Sequence, residues 1–260
     1  MAAMIPSNIV ITGASRGLGA ALARAWAGPG VRLALVGRDE AALAATAAAC
    51  RAAGAQVQTA QVDVRDAEVL ARQILAWDDE APFDLVVANA GITSGTRPDG
   101  GLEGHAAATR VLAVNLQGAV NLVEPLLPRL LARRAGRVAL VASVAAFRGL
   151  PDSPAYCASK AGLWGYGESL RALLGPRGVG VTNIAPGFFD SAMSARFSGR
   201  HPFKLGTEAA ASRITRAIAR DAGRCIFPRR MGFSLRLLEL LPAGLADRAT
   251  RLFRFKVRVD

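Results

Sequence analysis

The stretch Asn8-Ile9-Val10-Ile11-Thr12-Gly13-Ala14-Ser15-Arg16-Gly17-Leu18-Gly19 carries the decision about the fold. Five strand-forming residues run into three glycines spaced GxxxGxG, and the Ala- and Leu-rich segment Leu18–Ala27 then takes up helical periodicity. A strand that turns on glycine into a helix aims backbone amides and the positive end of the helix dipole at one point, which suits a pyrophosphate. The spacing differs from the commoner GxGxxG. Taken alone, the turn is also readable as a tight strand-to-helix connection.

Moving outward, short β-rich runs alternate with helical segments along the whole chain, as in repeated βαβ units. Strands are expected near Asn8–Thr12, Val31–Val36, Gln56–Gln61, Asp84–Ala88, Arg137–Ala142, Gly178–Ile184 and Arg224–Phe227. Helices are expected over Leu18–Ala27, Glu40–Ala53, Ala67–Trp77, Leu102–Arg134 as two pieces, Ala155–Leu174 and Thr207–Ala219. Pro125 and Pro128 each remove a backbone donor and should bend the helix that carries them. The resulting fold class is α/β, a Rossmann-type doubly wound parallel sheet of about seven strands. With 260 residues and no linker-like stretch, it is expected to be one domain.

Composition narrows the function. No apolar run reaches the length of a membrane span. The first strand begins so near Met1 that no leader is expected, which points to the cytoplasm. Cys50, Cys157 and Cys225 are too scattered for a disulfide framework or a metal cluster, so reduced thiols and no metal are expected. The net charge of +12 admits a polyanionic partner, but no zinc-finger spacing, RNP-like motif or Lys/Arg block accompanies it, so no nucleic acid is expected.

Further motifs come after the glycine turn in order: Asp63-Val64, Asn89-Ala90-Gly91, Asn115, Ser143, Tyr156-Cys157-Ala158-Ser159-Lys160 and Pro186-Gly187. With Thr12–Gly19, these resemble the short-chain dehydrogenase/reductase family over about residues 8–230. The resemblance implies a nicotinamide dinucleotide at Gly13, Ser15, Arg16, Gly17, Leu18 and Gly19. It implies Asp63 and Val64 flanking the adenine, and Asn89, Ala90 and Gly91 lining the cofactor after the fourth strand. Pro186, Gly187 and Phe189 would approach the nicotinamide, and Ser191 stands where the family often has a threonine touching the carboxamide. A homodimer or homotetramer built on the helices around Val111–Arg134 and Ala155–Leu174 is also implied.

The choice of cofactor depends on the residue at the end of the second strand, because a carboxylate there binds free ribose hydroxyls and repels a 2′-phosphate. Gly37 takes that place, Arg38 is next to it, and Arg16 offers a second guanidinium suited to a phosphate. The expectation is NADP(H). In a register shifted by two, Asp39 would instead serve NAD(H) and both arginines would be solvated.

Tyr156 and Lys160 lie four apart at the start of a helix and so project from one face. An adjacent ammonium is expected to lower the phenol's pKa, fitting Tyr156 to exchange a proton with an alcohol or alkoxide. Ser143, ending the fifth strand, would hydrogen-bond the substrate oxygen. The resemblance adds that Lys160 holds the nicotinamide ribose and that Asn115 positions a water linking Lys160 to solvent. Each residue also has a plain reading: a surface Tyr–Lys pair, a Ser capping a strand, an Asn bonding the backbone of a bent helix.

A substrate wall is expected from Ala145, Phe147, Leu150, Phe188 and Met193, with a short segment containing Phe197, His201 and Phe203 leaving the cleft open. From about residue 231 the tail is basic and amphipathic, divided by Pro242 and Gly244 into two short helices. Packing on its own domain, a homo-oligomer interface and an anionic membrane surface all remain open for it. The expected activity is hydride transfer between NADP(H) and a small-molecule ketone or secondary alcohol, apolar or 3-oxoacyl in type. A non-catalytic dinucleotide-binding redox sensor or scaffold, and a lipid-ketone reductase at the membrane surface, are the alternatives.

Overall fold

The computed structural model describes residues 6–96, 100–190, 192–195, 197–198, 204–250 and 256–257. The chain runs β1 (Asn8–Thr12), α1 (Gly17–Trp26), β2 (Arg32–Gly37), α2 (Glu40–Ala52), β3 (Gln56–Gln61), α3 (Ala67–Glu80) and β4 (Leu85–Ala88). It continues through α4 (His105–Leu112), α5 (Gly118–Val123), α6 (Leu127–Arg133), β5 (Arg137–Val141), α7 (Pro154–Leu174) and β6 (Gly180–Pro186). It closes with α8 (Ala192–Ala195), β7 (Phe197–Ser198), α9 (Thr207–Ala219), β8 (Arg224–Phe227), α10 (Arg229–Leu238), α11 (Ala243–Thr250) and β9 (Lys256–Val257).

Seven strands form one parallel sheet in the order β3-β2-β1-β4-β5-β6-β8, each within two residues of the position expected from the sequence. Alternation along each strand feeds two layers. In β1, Val10 joins Leu70, Ile74, Leu122, Leu130 and Leu163 on one side, while Ile9 and Ile11 join Leu22, Leu35, Leu43, Ile214 and Ile218 on the other. Helices thus cover both faces, and strands buried on both sides read as near-continuous apolar runs. The connections leave β1 in one direction and β4 in the other, so a crevice opens between their carboxyl ends.

The segment expected as two helices is one continuous helical path from His105 to Arg133 with two local defects. A π turn at Ala113–Gln117 carries Asn115, and a tighter 3₁₀ turn at Glu124–Leu126 carries Pro125, whose missing N–H breaks the α ladder. This path is long and apolar enough to cross a bilayer, yet more than half of its most apolar stretch is buried in the fold.

After β8 the helices α10 and α11 stay against the domain. Leu235 of α10 is buried with Val144, Phe147 and Ala185, beside Ile226 and Met231. Phe147 and Trp164 meet edge to face with centroids 4.8 Å apart, and the Arg236 guanidinium lies 4.2 Å from the Phe147 centroid. Asp247 of α11 pairs with Arg148 at 2.6 Å. Farther on, β9 pairs antiparallel with β7, a small second sheet absent from the sequence expectation.

Gly232 is the tightest point of this docking, because a Cβ there would lie 2.5 Å from Ile226 Cγ2 and 3.4 Å from Phe147 Cε2. Gly232→Val is therefore expected to destabilise the protein by about 2 kcal/mol through overpacking. It should also make α10–α11 the first site of limited proteolysis. Unchanged urea midpoint and protease resistance would show that α10 is not held this way.

Candidate functional site

The crevice begins at the glycine turn. Gly13 has φ +68° and Gly17 φ +56°, left-handed conformations that side chains resist. A Cβ on Gly13 would lie 2.8 Å from Ala90 Cα, and one on Gly19 would overlap the Gly13 carbonyl. The closeness comes from β4. The Asn89 side chain donates to the Thr12 carbonyl at 2.9 Å and the Gly13 carbonyl at 3.3 Å. The Thr12 hydroxyl oxygen in turn accepts from the amides of Asn89 and Ala90 at 3.2 and 3.3 Å. Arg16 at the head of α1 is extended and makes no side-chain cap, so the first amides of the helix face the crevice without a side-chain acceptor.

Beside the turn, a Cβ on Gly37 would meet Ser15 Oγ, which would have to rotate aside, and glycine leaves the end of β2 without a side chain. Arg38 and Arg16 stand at the rim, more than half exposed, each in a loose pair: Arg38 with Asp63 at 3.7 Å, Arg16 with Asp39 at 3.8 Å. Asp39 already caps α2 by accepting from the Ala42 amide at 3.1 Å. Hydrogen bonds from Arg65 hold the Asp63 carboxyl below the usual range despite partial burial. Val64 packs on the same floor, where its carbonyl accepts from Asn121 Nδ2 at 2.9 Å.

The other end of the crevice gathers Ser143, Tyr156, Lys160 and Asn115. Ser143 lies just past β5 and its hydroxyl oxygen accepts from the Ala145 amide at 3.1 Å. Tyr156 and Lys160 sit in the first two turns of α7, whose first-turn amide at Ala155 donates to the Glu103 carboxylate at 3.2 Å. Lys160 is 4% exposed; its ammonium donates to the Val141 carbonyl at 2.8 Å and lies 5.8 Å from the Tyr156 ring centroid. Asn115 commits both amide protons, one to the Ile92 carbonyl at 2.9 Å and one to Ser159 Oγ at 3.0 Å, while its oxygen accepts from the Ile92 amide at 2.8 Å.

Burial pushes the Tyr156 phenol up to about 12, against which a hydrogen bond with Ser143 works, and burial draws the Lys160 ammonium down to about 8. The direction expected for Tyr156 from its neighbour is thus reversed. Desolvation dominates because the neighbouring cation is itself buried and less able to keep its charge.

These two ends and the space between them form one cavity of about 1320 Å³. Gly13, Ser15, Arg16, Gly17, Leu18, Arg38, Asp63, Val64, Asn89, Ala90, Gly91, Ser143, Tyr156, Lys160, Pro186, Gly187 and Phe189 line it. Gly19 and Asn115 support it from behind, and Ser191 lies outside the described residues. Ala145, Leu150, Phe188 and Met193 line the substrate end, but Phe147 is turned under α10 and does not. His201 and Phe203 of the expected lid segment lie outside the described residues, and a wall that the sequence did not point to comes from the C-terminal helices. Met231, Ser234, Leu235 and Leu238 of α10 line the cleft, with Ala249 of α11. Their i, i+4 and i, i+3 spacing was visible as an amphipathic stripe, but nothing in it says which cavity the stripe faces.

The family model described as short chain dehydrogenase matches residues 7–201 of this chain. The chain belongs to the short-chain dehydrogenase family. Its sequence is 37% identical to an uncharacterized oxidoreductase of Myxococcus xanthus (strain DK1622), over 98% of this chain and all of that one. Among solved structures, a short-chain dehydrogenase from Sphingobium yanoikuyae in complex with NADPH superimposes with TM-score 0.79 at 23% identity, covering 95% of this chain and 96% of that one. One from Mycobacterium paratuberculosis bound to NAD gives 0.73 at 22% identity, covering 85% and 95%. This short-chain dehydrogenase is thus an oxidoreductase acting on CH–OH groups of small molecules.

The buried Lys160 has a consequence for stability. Below pH 8 both folded and unfolded forms hold its proton and the burial cost is fully present; above the ordinary value of 10.5 both are neutral and the cost is gone. Urea unfolding from pH 8 to pH 10 is expected to show wild type gaining on Lys160→Met by on the order of 2–3 kcal/mol. Parallel curves would mean that Lys160 titrates normally.

Proposed function

We propose that this enzyme is an NADP(H)-dependent reductase of apolar ketones, 3-oxoacyl compounds included. The observation that carries the reading is the single cavity joining the glycine turn to the Ser143–Tyr156–Lys160 cluster. The residues fit a dinucleotide. Gly13 and Gly19 let the turn close against the end of β4 where any Cβ would clash, uncapped helix amides await an anion, and Lys160 is buried with no ion-pair partner among the described residues. Bound there, the dinucleotide would supply the hydride.

The rim supports NADP(H). Gly37 brings no carboxylate to the place where one would repel a 2′-phosphate, while Arg16 and Arg38 are exposed and only loosely paired. Asp39 is the one feature favouring NAD(H), since it lines the same groove, though its carboxylate is shared between the α2 cap and Arg16.

Ser143 and Tyr156 then hold the substrate carbonyl oxygen. With its pKa near 12, Tyr156 keeps its proton at neutral pH and is poised to donate it as charge develops on that oxygen. Lys160 would stabilise the phenolate left behind and would hold the ribose of a bound dinucleotide. A Cβ on Gly91 would lie 3.4 Å from both Lys160 Nζ and Asn115 Oδ1, so the missing side chain leaves room for a bridging water and a proton path. A homodimer or homotetramer through α4–α6 and α7 would cover the exposed Leu112 and Leu173.

Loss of NADPH absorbance with a panel of acyl, steroid and aromatic ketones tests this reading. Tyr156→Phe is expected to lower kcat by about 100- to 10,000-fold with NADPH affinity retained. If the variant keeps full turnover, the proton donor is elsewhere; if wild type binds no dinucleotide, the proposal falls. Arg38→Gln should weaken NADPH binding by about 10- to 100-fold and leave NADH binding nearly unchanged. Equal effects on both would favour NAD(H) as the partner.

A further inference from the structure

Five of the eight exposed large apolar side chains among the described residues fall within α10, α11 and the turn joining them: Phe233 (70% exposed), Leu237 (50%), Leu240 (80%), Leu241 (43%) and Leu245 (53%). A soluble surface seldom gathers so many large apolar groups in one short stretch without a partner. The cations around them are of one kind. Arg229, Arg230 and Arg248 are exposed, and of the two acids in α10–α11 and their turn, Asp247 is paired to Arg148, which leaves Glu239. The sequence then adds Arg251, Arg254, Lys256 and Arg258 against Asp260. Apolar groups flanked by arginines complement a surface that is anionic above and hydrocarbon below. Leu237 connects this face to the chemistry, since it is half exposed and also lines the catalytic cavity.

We propose that α10–α11 docks this enzyme on an anionic lipid bilayer, with the cavity mouth against the membrane, so that apolar carbonyl substrates enter from the lipid. The docking stands on the exposed face alone; the entry of substrate rests on the reductase reading above. Phe233, Leu240 and Leu245 reach into the acyl boundary while Arg229 and Arg248 meet the headgroup phosphates. Leu237 marks the border between membrane and cavity, and Met231, Leu235 and Leu238 continue the apolar path inward.

The test is co-sedimentation of the full-length enzyme with vesicles of phosphatidylcholine alone or mixed with phosphatidylglycerol. Binding to the anionic vesicles, weak binding to the neutral ones and loss in F233S/L240S/L245S are expected, with NADPH binding and turnover of a short water-soluble ketone unchanged. R229Q/R248Q, which leaves the apolar face intact, should reduce binding by about five-fold per cation removed. Wild type that stays in solution, or both variants sedimenting like wild type, overturns the docking. So does a serine variant that loses self-association in analytical ultracentrifugation and binds vesicles as before, because a second copy of the chain then covers the face. Sedimentation needs no turnover, so an inactive enzyme that binds leaves docking standing while removing the reductase reading.

Discussion

The backbones of β1 and β4 approach so closely at their carboxyl ends that only glycine fits at positions 13 and 19, and the rest of the site hangs from that contact. Asn89 and Thr12 fasten the two strand ends with reciprocal side-chain-to-backbone hydrogen bonds. Because the strand order reverses there, the clamped ends do not block each other's connections, and the head of α1 is left facing an open crevice. The same hydrogen bonds that make the turn rigid therefore expose its amides. Amides directed at open space result from a packing constraint, with no cationic side chain at their centre.

Burial sets the chemistry at the far end. Placing a phenol and an ammonium in one desolvated pocket raises the first toward 12 and lowers the second toward 8, so both are drawn toward their neutral forms. Fixed partners offset part of the cost: the Val141 carbonyl for Lys160 and Ser143 for Tyr156. Asn115 belongs to this framework through the π turn, which sets its side chain between the Ile92 backbone and Ser159. A group that keeps its proton firmly until charge develops next to it is a better acid for reduction than a base for oxidation at neutral pH.

The C-terminal helices link the edge of the sheet to the substrate end. Docked through Leu235 and the Arg236–Phe147–Trp164 stack, α10 turns one side to the cavity and the other to solvent. The glycine turn lines the opposite end of the same cavity.

The seven strands, the doubly wound class, the glycine turn and the Tyr156–Lys160 pair were legible in the sequence because each rests on a local cause, whereas Asp63, Asn89 and Pro186 were marked only by the family resemblance. Strand alternation, glycine at positive φ and the four-residue spacing of Tyr156 and Lys160 are written in neighbouring residues. Other features came only with tertiary packing. The continuity of the His105–Arg133 path depended on how its defects pack, and the pKa of Tyr156 depended on a burial that no neighbour in sequence reveals. The direction of the tail's apolar stripe and the turning of Phe147 away from the cavity arose from contacts between residues far apart in the chain. Periodicity shows that a face is apolar; only the folded chain shows what that face meets.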